Sequence, residues 1–301
     1  MGIRWNPFRS NRKKKAGGPV RPTSALAVPG EGGSEFDYSG AFQSDVGCYR
    51  QTNEDSGIYF VPPEPDLLAS RGRLVLVADG MGGHLAGEVA SRMAVDLIMK
   101  EYYEGAGEVG QALRHAFEKA NREIHGSAQN DRALEGMGTT CTALVLKNGS
   151  AVAAHVGDSR LYLVRDHQIY LMTEDHSAVM DMVKRGLLTL EQARHHPDKN
   201  VILRALGSHP DVDVTVWEEP FPVRGGDRFL VCSDGLYDLV EDDEIRDLAI
   251  MDDINSAVRR LVQTARDRGG YDNITVALLN VRAGAHELAP VRETRELEVS
   301  K

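Results

Sequence analysis

The chain has 301 residues, which is enough for one large domain or two small ones with a sizeable core. Its 42% hydrophobic and 27% charged residues are typical of a soluble globular protein, and they exclude a largely disordered, collagen-like or disulfide-rich chain. The charge is uneven: residues 1–22 carry seven basic side chains and no acidic one, so the remainder has a net charge of −17. An acidic body disfavours nucleic acid as a partner and suits a protein that binds cations.

The first segment, residues 1–40, is rich in glycine, proline, serine and basic residues and has no apolar period, which predicts a disordered basic tail. A solvated arm is the simpler interpretation, and peripheral contact with an anionic membrane is the alternative. Residues 283–301 predict a charged C-terminal tail. No apolar run is long enough for a membrane-spanning helix. The three cysteines lie far apart, as in proteins of reducing compartments, so we expect a cytoplasmic protein.

The body, residues 41–282, combines strand-like runs with helical periods. Strands are predicted at 56–61, 73–79, 139–147, 150–157, 160–165, 212–217, 228–233 and 273–281. Helices are predicted at 86–103, 108–126, 241–250 and 253–267 from their apolar spacing. The stretch at about 174–211 is partly helical and rich in histidine and charge, which suggests a flap inserted over a site.

Acidic residues stand at the boundaries of these predicted strands. They are Glu54, Asp55, Asp79, Asp158, Asp234 and Asp272. If the strand ends converge, the carboxylates repel one another by roughly 3 kcal/mol per pair at about 5 Å, and a hard cation such as Mg²⁺ or Mn²⁺ would neutralise them. An Asp-Gly pair is also a common turn sequence. The spacing alone therefore leaves a multi-metal site and a set of turns both open.

Taken in order, these segments resemble the metal-dependent protein phosphatases of type 2C, especially the bacterial form. The matching segments are residues 50–55, 77–84, 136–140, 155–160, 173–177, 203–207, 231–236 and 272–276. Each motif alone is weak, whereas the ordered set, which covers about residues 40–282, is very specific. The resemblance implies an α+β fold, an antiparallel β-sandwich flanked by helices on both faces in a four-layer αββα arrangement.

The resemblance also implies a binuclear Mn²⁺ or Mg²⁺ centre at one end of the sandwich. By match with the family's motifs, Asp79 bridges the two metals and Gly80 offers its carbonyl. Asp234 and Asp272 bind one metal. Asp158, together with Asp234, would hold a third, weaker ion.

Three further positions match residues that act beside the metals in the family. Glu54 lies near the second metal, as a ligand or through water, and Asp55 orients a metal-bound water. Arg50 corresponds to the arginine that binds phosphate, and its planar fork suits a phosphate dianion.

The implied activity is hydrolysis of phosphoserine and phosphothreonine in proteins by a metal-bridging hydroxide that attacks phosphorus directly. The expected partners are phosphorylated proteins, including Ser/Thr kinases that the enzyme opposes, and the chain is expected to be a monomer. Two alternatives are an inactive phosphatase-like binding module and another metal-dependent hydrolase such as a nuclease. The complete set of carboxylates disfavours the first, and the acidic body disfavours the second. A cysteine nucleophile is disfavoured because Cys232 follows an apolar run and is predicted to be a buried strand residue.

His84 has two interpretations. Animal and plant relatives carry a histidine directly after the bridging Asp-Gly as a proposed general acid, but here that position is Met81. His84, three residues further on, is either a substitute acid or a helix N-terminal residue with no role in proton transfer. We favour the second interpretation.

His84→Ala is therefore expected to leave most of the turnover intact, because the proton for the leaving alcohol would come from another source. The measurement is the pH dependence of kcat on a small phosphate ester. A collapse of kcat together with a lost limb of the pH profile would show that His84 is the acid.

Overall fold

The computed structural model describes residues 36–82 and 85–284. Its strands are β1 (Phe36–Asp45), β2 (Asp55–Phe60), β3 (Arg73–Met81), β4 (Gly138–Thr139), β5 (Cys141–Lys147), β6 (Ser150–Val156), β7 (Arg160–Arg165), β8 (Gln168–Leu171), β9 (Thr215–Val216), β10 (Phe221–Pro222), β11 (Arg228–Cys232) and β12 (Ile274–Ala283). Its helices are α1 (Pro65–Arg71), α2 (Leu85–Glu104), α3 (Val109–Asn130), α4 (Ala178–Lys184), α5 (Leu190–Arg194), α6 (Asp234–Tyr237), α7 (Asp242–Ala249) and α8 (Ile254–Asp267).

The strands form two antiparallel sheets. One has the order β1-β12-β11-β7-β8, and the other has the order β10-β6-β5-β3-β2, with β4 and β9 pairing with β3 and β6. Helices α2 and α3 cover the outer face of the second sheet, and α6 to α8 cover that of the first. The predicted α+β fold, an antiparallel sandwich flanked by helices on both faces, is confirmed.

Buried side chains alternate between the layers along each central strand. On β3, Leu76 packs with residues of α2 and α3, whereas Val75 points into the space between the sheets. On β11, Leu230 packs with α7 and α8, whereas Phe229 points between the sheets. Because both faces of these strands are buried, they read as continuous apolar runs in the sequence.

The four predicted helices are present as α2, α3, α7 and α8, and the flap contains α4 and α5. Strand β1 was not predicted, and it corrects the tail boundary. It begins at Phe36 and pairs with β12 from Phe36 opposite Ala283 to Asp45 opposite Ile274, so residues 36–40 belong to the domain. Ala283, assigned to the C-terminal tail, is still in β12.

The rest of both predicted tails, residues 1–35 and 285–301, lies outside the described residues. Within residues 36–82 and 85–284, none of the helices combines the length and apolar character needed to span a bilayer.

Phe117→Ala is expected to lower the free energy of unfolding by about 3–5 kcal/mol, because its fully buried ring packs α3 onto the sheet. Urea denaturation followed by circular dichroism measures the loss. The control is Arg122→Ala on the exposed side of the same helix, which should change the free energy by less than about 0.5 kcal/mol. Equal effects of the two substitutions would contradict the described packing.

Candidate metal and phosphate site

Several strand ends meet at one end of the sandwich. Strands β2 and β3 are antiparallel, so the first residues of β2 lie beside the last residues of β3, and Asp55 is paired with Asp79. In the other sheet, β11 ends at Cys232, which lies opposite Arg160 of β7 and Val276 of β12. The acidic residues that flank these strand ends are thereby brought to the same end of the molecule.

The charges of these carboxyl groups act on one another. Burial is the largest cause that raises the pKa of Asp79, and the charges of Asp55, Asp234, Asp158 and Asp272 raise it further. Burial likewise raises the pKa of Asp158 to about 7 and that of Asp55 to about 6. Their ionised forms are disfavoured without a cation, so the electrostatics favour cation binding.

The backbone around Asp79 is fixed by the neighbouring strands. Its N–H donates to Thr140 Oγ1 at 3.0 Å, and its carbonyl accepts from the Thr140 N–H and the Thr139 hydroxyl, both at 2.8 Å. The next residue, Gly80, touches the start of α2, where a Cβ on Gly80 would lie 2.1 Å from the Gly87 carbonyl oxygen. Glycine is therefore required at position 80 for packing, in addition to any role of its carbonyl.

Ser233, at the end of β11, links the two sheets beneath the site. Its hydroxyl donates to Asp55 Oδ2 at 2.7 Å and accepts the N–H of Thr275 at 3.0 Å. These bonds hold the Asp55 carboxylate beside the start of α6, where Asp234 stands. Sequence reasoning gave Ser233 no role, although it lies in the matched segment 231–236.

Asn273 holds the other side of the site. Its Oδ1 accepts the N–H of Glu54 at 2.7 Å, and its Nδ2 donates to the carbonyls of Val46 and Thr52 at 3.0 and 3.1 Å. A single amide therefore fixes the loop before β2 next to Asp272. Asn273 was also missed as a site residue.

Arg50 is paired with one of the predicted metal ligands. Its Nη2 lies 2.8 Å from Asp272 Oδ2, and both side chains are partly exposed. The hydrogen bond to Asp272 is the largest cause that raises the pKa of Arg50, and the charges of Glu54 and Asp79 also raise it. Arg50 therefore belongs to the same electrostatic cluster as the carboxylates.

A buried ion pair supports the Asp158 side of the cluster. Arg160 Nη2 lies 2.7 Å from Asp175 Oδ2, and its guanidinium stacks 3.7 Å from the centroid of the Tyr237 ring. The Tyr237 hydroxyl donates to the carbonyl of Asp158 at 3.2 Å. These residues connect the loop of Asp158 to α6, and sequence reasoning assigned them no function.

Residues of the flap bond to the C-terminal end of α6. Lys199 Nζ lies 2.5 Å from Asp238 Oδ2, and Arg194 Nη2 donates to the Tyr237 carbonyl at 3.2 Å. Burial raises the pKa of Asp234 most, and the charges of Asp158 and Asp238 raise it further. Asp238 is thus a further carboxylate near the site that the sequence did not single out.

The donor set fits hard divalent cations. Among the residues that the structure describes, no three His, Cys, Asp or Glu side chains are already grouped closely enough to coordinate a metal ion. The fit rests instead on the chemistry of the cluster, which consists of carboxylates that raise one another's pKa. Oxygen-only donors suit Mg²⁺ or Mn²⁺ better than a structural zinc ion.

The structure brings most of the predicted residues to one place. These residues influence one another's pKa through their charges, and they are Arg50, Glu54, Asp55, Asp79, Asp158, Asp234 and Asp272. Gly80 is joined to Glu54 by a hydrogen bond from its N–H to the Glu54 carbonyl at 3.1 Å. His84 lies outside the described residues, so its role stays a prediction. The individual metal roles also stay predictions.

Comparison with known proteins identifies the family. Residues 66–279 match the family model described as protein phosphatase 2C. The chain belongs to this family. A serine/threonine phosphatase of Listeria monocytogenes is 38% identical over 244 residues, which cover 79% of this chain and 94% of the relative. The serine/threonine phosphatase PstP of Mycobacterium tuberculosis is 37% identical over 80% of this chain and 44% of its own length.

Solved structures agree with this assignment to the protein phosphatase 2C family. The crystal structure of M. tuberculosis PstP has a TM-score of 0.72 and 35% identity, and the match covers 81% of this chain and 99% of that chain. A structure of the PstP catalytic domain in complex with two manganese ions has a TM-score of 0.69 and 34% identity over 82% of this chain and 99% of that chain. The predicted resemblance to bacterial type 2C phosphatases is confirmed.

Ser233→Ala is expected to lower the free energy of unfolding by about 1–3 kcal/mol, because the buried Asp55 carboxylate loses one of its hydrogen-bond donors and the Thr275 N–H loses the hydroxyl that accepts it. The lost donor also raises the pKa of Asp55, so the acidic limb of the kcat/KM profile should move to higher pH. Ser70→Ala, on exposed α1, is the control for both measurements. An unshifted limb in Ser233→Ala would contradict the role of this hydrogen bond.

Proposed function

We propose that the chain removes phosphate from phosphoserine and phosphothreonine residues of proteins, with the help of Mn²⁺ or Mg²⁺. The observation that carries the proposal is the electrostatic cluster of Asp79, Asp234 and Asp272 with Arg50 at one end of the sandwich. Carboxylates beside a guanidinium fork suit a phosphate dianion that is bound together with divalent cations. The names of the relatives, which are serine/threonine phosphatases, support this substrate class.

The cations would be held by main-chain and carboxylate oxygens. Asp79 would contact both ions, Gly80 would contribute its carbonyl, and Asp234 and Asp272 would share one ion. Asp158 with Asp234 would hold a third, weaker ion. When bound, the cations would lower the pKa of water in the site and so supply hydroxide near neutral pH. The PstP structure with two manganese ions supports the number of tightly held ions.

Arg50 would bind the phosphate group. Its guanidinium carries five N–H donors, and Asp272 takes a single contact of 2.8 Å, so further donors remain to bind two phosphoryl oxygens. This fixed fork holds the ester in one orientation and stabilises the charge on its equatorial oxygens as the bond to the leaving alcohol breaks.

Asp55 and Glu54 would act beside the phosphate. Asp55 is buried and its Oδ2 is fixed by the Ser233 hydroxyl, so its carboxylate can orient the attacking water by accepting a hydrogen bond. Glu54 is anchored through its N–H to Asn273 and would bind a cation directly or through water.

Direct attack by water, without a covalent phospho-enzyme, agrees with the state of the cysteines. Cys232 is fully buried in β11, and burial raises the pKa of its thiol, so it is unavailable as a nucleophile. Cys48 is exposed, but it lies outside any glycine-rich phosphate loop. The sequence-based interpretation of Cys232 as a buried strand residue is confirmed.

The cellular role follows from the substrate class. Such an enzyme would oppose Ser/Thr protein kinases and act on the phosphoproteins that they produce. The basic residues 1–22 would contact an anionic membrane surface by electrostatic attraction. An inactive binding module is the second candidate, but the presence of every predicted metal carboxylate favours the enzyme.

Asp79→Asn is expected to reduce kcat/KM by at least about 100-fold on a phosphothreonine peptide and on p-nitrophenyl phosphate, because it removes the carboxylate charge that would hold both cations. Chelator should abolish the activity of the unmodified protein, and added Mn²⁺ should restore it. The assay is release of inorganic phosphate over time.

Asp96→Asn, an exposed carboxylate on α2, is the matched control and should retain full activity. Turnover that survives chelator, or a fully active Asp79→Asn, would contradict metal-dependent hydrolysis. A protein that binds the phosphopeptide but never releases phosphate would favour the binding module.

A further inference from the structure

Two exposed tyrosines lie together beside the site. Tyr49 and Tyr271 are 69% and 59% exposed, yet their ring centroids are 5.1 Å apart with an interplanar angle of 40°. Large aromatic side chains grouped on a soluble surface mark interaction sites, because tyrosine offers apolar area at a low cost in conformational entropy. We call these two rings the tyrosine platform.

The tyrosine platform borders the residues proposed to bind phosphate and metal. Tyr49 directly precedes Arg50, Tyr271 directly precedes Asp272, and the Arg50–Asp272 ion pair of 2.8 Å joins the same two segments. Consecutive Cα atoms are about 3.8 Å apart, so each ring is attached one residue away from the site. A peptide whose phosphate is on Arg50 therefore has its neighbouring residues within reach of the rings.

The rings are held in place before any peptide binds. The Cys48 N–H donates to the Gly270 carbonyl at 2.8 Å, which joins the two segments through their backbones. Gly269 has a φ of +126°, and a Cβ there would lie 2.5 Å from the Tyr271 ring, so this ring rests on bare backbone. A surface ordered in advance loses little entropy on binding.

The net charge of the protein favours a basic ligand for the platform. The face of a tyrosine ring attracts cations. Outside residues 1–22 the chain carries a net charge of −17, which exceeds the charge of two or three divalent ions. This field attracts basic segments and repels acidic ones.

Resting on the proposed function, we propose that the tyrosine platform binds an arginine or lysine side chain that flanks the phosphorylated residue of the substrate. Tyr49 and Tyr271 would then determine specificity without taking part in the chemical step. The preferred substrates would be phosphopeptide segments with a basic residue a few positions from the phosphate.

The test uses the full chain with Mn²⁺ and phosphothreonine peptides that differ at one flanking residue, which is Arg, Leu, Ala or Glu, at each of the three positions on either side. We expect the Arg peptide to exceed the Ala peptide in kcat/KM at one or more positions, mainly through a lower KM. Tyr49→Leu and Tyr271→Leu should each reduce this ratio by about two- to fivefold, and the double variant should bring it close to one. The ratio does not depend on the fraction of active enzyme.

Tyr49→Phe and Tyr271→Phe retain the ring and should keep the preference, as should Val61→Ala, an exposed apolar residue beyond the far end of β2. The proposal is overturned if the Leu peptide is favoured as strongly as the Arg peptide, if the double Leu variant keeps the ratio, or if Phe acts like Leu.

Failure of the proposed function is recognised separately. If the unmodified protein hydrolyses none of the peptides, binding is measured instead. Fluorescence anisotropy gives the affinity of labelled phosphopeptides with a flanking Arg or Ala. Each peptide is measured with the unmodified protein and with the double Leu variant. Tighter binding of the Arg peptide that the double variant loses supports the platform, and equal binding overturns it.

Discussion

Repulsion among carboxylates at one end of the sandwich is the interaction on which the whole site depends. Asp79, Asp158 and Asp234 all have their pKa raised by burial first and then by neighbouring carboxylates. At an effective dielectric near 20, each pair of charges at about 5 Å costs about 3 kcal/mol. The fold tolerates this cost because the antiparallel sheets, the Ser233 and Asn273 hydrogen bonds and the Arg160–Asp175 pair hold the groups where divalent cations can offset it.

The parts of the fold with two buried faces were predictable from the sequence. Strands β3 and β11 are apolar runs, with an Asp-Gly pair near the end of β3 and another shortly after β11, and α8 shows a regular apolar face. Their type and position therefore follow from periodicity. The order of the acidic motifs identified the family, and from it the residues that the structure brings together, including Asp79, Asp234 and Asp272.

The remainder depended on contacts that are distant in the sequence. Strand β1 includes two serines and one glycine and follows a glycine- and serine-rich segment, so its assignment as a strand depends on its full pairing with β12. Ser233 bonds to Asp55, 178 residues away. Asn273 bonds to Glu54, 219 residues away, so no local pattern reveals either role. For Gly80 the sequence suggested a carbonyl open to a cation, whereas the structure adds a steric reason, the approach of α2.

The most direct test of the account is thermal unfolding of the metal-free protein between about pH 5.5 and pH 8, with and without Mn²⁺. Carboxyl groups with a raised native pKa, such as Asp158 at about 7 and Asp55 at about 6, bind more protons in the native than in the unfolded state. The free energy of unfolding therefore falls as the pH rises through these values. We predict a midpoint that falls with pH, falls less in Asp79→Asn, and is restored by Mn²⁺. A midpoint that neither falls with pH nor responds to Mn²⁺ would contradict the account.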